Sequence, residues 1–93
     1  MYTYLITYDL GGPETEQSYN KIISMIKAVF PVWARPQKSV WIVKSYRPIA
    51  EVRDGIVPFV DNNDKLLVID ITKDTWATYN QSSEINTWLK TNI

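Results

Sequence analysis

Asp9 closes the run Tyr2-Thr3-Tyr4-Leu5-Ile6-Thr7-Tyr8 and is followed by Leu10-Gly11-Gly12. A β-branched and aromatic run that stops at a carboxylate before glycines predicts a strand that ends at Asp9, where the side chain can reach a ligand. A second group of reactive side chains lies further on. Arg35, Lys38 and Lys44 interleave with Trp33 and Trp41. Cations among aromatic rings predict a surface that contacts phosphates and stacks bases, and the same pattern also describes a solvated edge over two core tryptophans. Ser39 offers a hydroxyl to phosphate or ordinary polar packing.

The residue inventory narrows the chemistry. There is no His and no Cys, which removes His-dependent triads, thiolate metal sites and cysteine nucleophiles. Any metal site must be built from oxygen ligands, which favours Mg²⁺, Mn²⁺ or Ca²⁺. Asp64, Asp70 and Asp74 add carboxylates in no recognised spacing, and Asp61-Asn62-Asn63-Asp64 lacks the later Glu of a calcium loop, so it reads as a turn. Ten basic residues balance ten acidic ones. A formal charge of zero counts against strong nonspecific nucleic-acid binding while leaving room for a local basic patch.

Elements must position these groups. Ninety-three residues predict one domain, 1–93. The first strand is apolar on both faces and therefore central. Tyr19, Ile22, Ile23, Ile26, Val29 and Phe30 recur at helical spacing before Pro31, with Glu14 and Glu16 at the expected helix start. Val32–Arg35 and Ser39–Ser45 form a hairpin, with a tight turn or bulge at Pro36-Gln37-Lys38. Pro48 opens a second helix striped by Ile49, Val52, Ile56 and Val60, which Gly55 and Pro58 shorten. Lys65–Thr72 is a fourth strand whose Leu-Leu-Val-Ile run predicts burial on both faces. An irregular stretch follows, and Ser82 or Ser83 caps a last helix that faces Ile85, Trp88 and Leu89 inward.

Strand, helix, strand, strand, helix, strand is the ferredoxin-like βαββαβ order of an α+β domain. It predicts a four-stranded antiparallel sheet with two helices on one face. The core spans 2–72, and a tail with the C-terminal helix occupies 73–93. With no leader pattern and no membrane span in the residues, the setting expected is cytoplasmic.

Three stretches together resemble a known family: Tyr8-Asp9-Leu10, the segment Arg35-Pro36-Gln37-Lys38-Ser39-Val40-Trp41, and Asn63-Asp64-Lys65-Leu66-Leu67-Val68. They are similar to the second core CRISPR-associated protein, the small ferredoxin-fold dimer that scaffolds the spacer integrase. The likeness extends to its superfamily, which includes the virulence-associated protein D endoribonucleases. It covers residues 2–72. This chain differs in carrying Gly11-Gly12-Pro13 where CRISPR members carry charges, in its neutrality, and in a helix where they add a strand. The segment 50–60, the Asp61-Asn62-Asn63-Asp64 turn and the ending Trp88-Leu89-Lys90 look closer to uncharacterised phage and bacterial relatives of that family.

The resemblance implies that Asp9 from two subunits holds Mg²⁺ and polarises a phosphodiester. It also implies that Tyr8, Arg35, Gln37, Lys38, Ser39 and Trp41 form the ligand-binding segment. The expected function is a homodimer that binds RNA, DNA or a small nucleotide, with Mg²⁺-dependent phosphodiesterase or endoribonuclease activity. The alternatives are a phage-type counter-defence protein that sequesters a signalling nucleotide without turnover, and a toxin–antitoxin or scaffold component. The apolar fourth strand, with Trp76, Tyr79 and Trp88 after it, predicts a symmetric dimer. In the expected geometry the free sheet faces meet and each tail crosses the edge of the partner.

Overall fold

A computed structural model describes residues 1–12 and 16–93, with side chains in the first helix described from Tyr19 onward. The expected placement of Glu14 lies outside the described residues. The elements run β1 (Tyr2–Asp9), α1 (Glu16–Val29), β2 (Trp33–Gln37), β3 (Val40–Ser45), α2 (Ile49–Ile56), β4 (Lys65–Asp70) and α3 (Ser83–Asn92), with a 3₁₀ turn at Val57–Phe59. The sheet order is β2-β3-β1-β4 and every neighbouring pair is antiparallel. This is the ferredoxin-like βαββαβ arrangement with an additional C-terminal helix, and β1 and β3 are central as expected.

Alternation along each strand separates two faces. Tyr4, Ile6 and Tyr8 of β1 and Trp41 and Val43 of β3 pack with Ile22, Met25, Ile26 and Phe30 from α1 and its end, and with Val52 and Ile56 of α2. Val29, expected in the α1 stripe, is instead exposed, and Met25 takes the inward place. Pro48 stands at the N-cap of α2, and the helix gives way to the 3₁₀ turn that contains Pro58. A proline ring clashes with the carbonyl four residues back, which explains the tighter turn.

The second face corrects the expected assembly. The chain's own tail and α3 lie over it: Leu5, Val40 and Ile42 of the sheet line one groove with Trp76 and Leu89, and Leu89 is buried. α3 starts at Ser82, whose Oγ accepts the Ile85 N–H at 3.2 Å. Its last turn is held by Lys44, whose Nζ donates to the Asn92 carbonyl at 2.7 Å and to Thr3 Oγ1 at 2.9 Å. A cation at a helix C-terminus satisfies an orphan carbonyl and complements the dipole. The tail therefore folds onto its own sheet and covers the middle of the face that the expected face-to-face contact would use.

β4 is a second correction. Leu66 and Val68 pack against the core, while Leu67 and Ile69 are 53% and 44% exposed. The continuous apolar run predicts burial on both faces, but the tail covers the middle of the second face and leaves the β4 edge open.

Candidate functional site

The hairpin divides the expected ligand-binding segment. Ala34 pairs with Ile42 and Gln37 with Val40, so Arg35 and Pro36 together oppose Trp41. That is a β-bulge at the proline, where the missing N–H costs no ladder bond. Arg35 lies over Trp41 at 5.1 Å on the helix-bearing face, whereas Gln37 lines the groove on the other face. Lys38 and Ser39 form the two-residue turn. Among the described residues only Lys73 and Asn80 are non-glycines with positive φ, so this is not one of the primed turns usual in two-residue hairpins. Arg35 compensates by donating Nε and Nη2 to the Lys38 carbonyl at 3.0 and 2.7 Å.

Three cations then line the edge formed by α1 and β2. Lys27 Nζ sits 5.1 Å from the Trp33 ring centre, Arg35 lies over Trp41, and Lys38 Nζ is 5.0 Å from the Tyr19 ring centre. Each cation–π contact at an exposed site contributes about 0.5–1 kcal/mol. Together they fix three flexible side chains in one row. Trp41 itself is fully buried, and its Nε1 donates to the Tyr8 hydroxyl at 3.1 Å. Tyr8 and Trp41 are thus a satisfied core pair with no face presented to a ligand, which differs from the ligand-binding role expected for both. Lys44, read as part of this cluster, is committed to α3.

A signal missed in the sequence explains the row. Residues 17–50 hold six of the ten basic residues, Lys21, Lys27, Arg35, Lys38, Lys44 and Arg47, and none of the ten acidic ones. The rest of the chain holds four basic and all ten acidic residues. Net neutrality conceals an uneven distribution, because the β2–β3 hairpin carries Arg35, Lys38 and Lys44 at one edge of the sheet while Asp61, Asp64 and Asp70 sit at or beside β4 at the other.

Asp9 is exposed at the end of β1, opposite Lys65 in the β1–β4 register. No side-chain hydrogen bond or ion pair involves it among the described residues. The turn beyond it is capped by a different carboxylate, Asp64, which accepts the Gly11 N–H at 2.8 Å. Among the described residues no group of three or more His, Cys, Asp or Glu side chains could hold a metal ion. Asp70, at the far end of β4, accepts from both the hydroxyl and the backbone N–H of Thr72, and these bonds lower its pKa below the usual aspartate value. Burial first, then the Asp70 and Tyr2 charges, raises that of Tyr4, whose hydroxyl donates to the Arg47 carbonyl at 2.7 Å.

A cavity of about 800 Å³ lies between α1 and the 3₁₀ turn, with Lys21 and Asp64 in its wall. Gln37, Thr7, Trp76 and Gln81 border the groove on the second face, of about 440 Å³. No family model matches the chain. No described helix is long and apolar enough to cross a membrane.

Proposed function

We propose that the chain is a homodimeric module that binds nucleic acid, or a small nucleotide, through phosphate groups. The observation that carries this reading is the row of Lys27, Arg35 and Lys38 on the α1–β2 edge, within a stretch free of acidic residues. A phosphate chain meets cations there with few carboxylates to compete, and counterion release supplies the affinity. Each aromatic ring in the row is already faced by a cation of the chain itself. Phosphate contact therefore outweighs base stacking, and sequence preference is weak. Fluorescence anisotropy with labelled single-stranded RNA and DNA tests it. Lys27→Glu and Lys38→Glu should each weaken binding, while Lys90→Glu on α3 should not. Equal affinity across all three variants removes the site.

Asp9 favours a second reading, a Mg²⁺-dependent phosphodiesterase or endoribonuclease, because its carboxylate is exposed and uncommitted. One carboxylate does not fit a magnesium site, so this reading needs Asp9 of two subunits at a common axis. Its test is cleavage of labelled RNA with Mg²⁺ and with EDTA, and cleavage that survives in Asp9→Ala excludes the residue. Sequestration of a signalling nucleotide without turnover, as in a phage counter-defence role in the cytoplasm, uses the same cations. Calorimetry with cyclic di- and trinucleotides would then show saturable binding and no product.

A further inference from the structure

β4 lacks most of the usual protections of an edge strand. Its register with β1 runs unbroken from Asp9↔Lys65 to Tyr4↔Asp70, so it carries no bulge. It contains no proline, and its only charges, Lys65 and Asp70, stand at its two ends. Between them Leu67 and Ile69 lie exposed on one face, and no described strand pairs with the outer edge. Natural proteins rarely leave such an edge open, because its free N–H and C=O groups recruit another strand.

We infer that β4 pairs with β4 of a second copy, antiparallel about a two-fold axis at Val68, to make a continuous eight-stranded sheet. This rests on the homodimer of the proposed function and gives it a specific interface. The register centred on Val68 pairs the two exposed apolar side chains with each other inside the strand, and at its ends sets Leu66 against Asp70 and Lys65 against Ile71. Directly opposed residues must share a face, which restricts the axis to a residue rather than a point between residues. With the axis at Val68, Leu67 opposes the Ile69 of the other copy and Ile69 opposes its Leu67. Both exposed side chains are then covered by apolar partners at cross-strand distance, about 5 Å between Cβ atoms. An axis at Leu67 would set Lys65 against Ile69. An axis at Ile69 would set Leu67 against Ile71, beyond the end of the strand.

The geometry has two consequences. Asp9 pairs with Lys65, three positions from the axis, on the strand next to β4. A rise of ~3.4 Å per residue and a strand spacing of ~4.8 Å put the two Asp9 residues roughly 25 Å apart. A metal shared by both is excluded in this dimer. The two basic α1–β2 edges, by contrast, become the opposite ends of one platform and remain free.

The chain has no cysteine, so single-cysteine variants read the register directly, without nucleic acid present. Light scattering should give twice the 10.8 kDa chain mass at micromolar concentration. Leu67→Lys combined with Ile69→Lys, on an exposed surface, should return the monomer with an unchanged circular dichroism spectrum. Under mild oxidation an equimolar mixture of Leu67→Cys and Ile69→Cys chains, both at exposed positions, should cross-link to mixed dimer several-fold faster than either variant alone. A monomeric wild type overturns both the interface and the homodimer. A dimer that resists the double lysine variant, or in which either cysteine variant alone cross-links as fast as the mixture, overturns this interface and leaves the homodimer standing.

Discussion

Asp64 accepts the N–H of Gly11 on one carboxylate oxygen and the N–H of Asp61 on the other, at 2.8 and 2.7 Å. One side chain therefore clamps the exit of β1 to the entry of β4, and the backbone just beyond Asp9 is fixed by a residue fifty-three positions away. Gly11 has to be glycine for this contact, since a Cβ there would lie 2.5 Å from the Asn63 carbonyl oxygen. Asp64→Ala should cost about 1–3 kcal/mol by stranding two donors, and Gly11→Ala a similar ~1–3 kcal/mol by overpacking. Urea denaturation measures both, and a midpoint unchanged in either variant would contradict the clamp.

Lys44 gives a prediction that separates structure from binding. Its ammonium bonds the α3 terminus and Thr3, so Lys44→Met should cost about 1.5–3 kcal/mol for a charged hydrogen bond. Amide exchange in α3 should accelerate. Affinity for nucleic acid should stay within twofold of wild type, because this cation is not in the exposed row. A large loss of affinity with unaltered α3 exchange would return Lys44 to the ligand surface.

Asp70 predicts the acid limb of stability. Its native pKa is lowered by the two Thr72 bonds, so the unfolded state binds the proton more tightly. The contribution is fully present above the unfolded value of about 4 and is lost as pH falls through the lower native value. Asp70→Asn should therefore flatten part of the decline in melting temperature below pH 4 while lowering stability at pH 7. Parallel curves for variant and wild type would refute it.

Tyr8 and Trp41 predict a core effect rather than a ligand effect. Tyr8→Phe leaves the buried Trp41 indole N–H without its acceptor, at a cost of about 1–3 kcal/mol. Thermal unfolding should shift, and nucleic-acid affinity below the transition should not. The opposite pattern would place the pair at the binding surface.

Much of the fold could be read from local chemistry. The element order, the bulge at Pro36, the Asp61–Asp64 turn and the Ser82 cap each depend on residues within a few positions of one another. The faces of β4 could not, because Leu66–Ile69 reads the same whether or not the tail reaches the strand edge. The commitment of Lys44 to α3 is hidden for a related reason, as its partner Asn92 lies forty-eight positions away. Spacing alone sets Gln37 on the same face as Arg35, because a bulge changes the face of a side chain without changing its spacing in the sequence. The basic segment 17–50 was visible throughout, hidden only by summing charge over the whole chain.

The most direct test of phosphate recognition is the salt dependence of binding to single-stranded nucleic acid. Lys27, Arg35 and Lys38 on the α1–β2 edge predict a slope of log K against log salt of about −2, from roughly 0.7 per neutralised phosphate. The double variant Lys27→Glu/Lys38→Glu should bring it to about −1 or weaker. A wild-type slope near zero, or a slope the double variant leaves unchanged, would contradict the account.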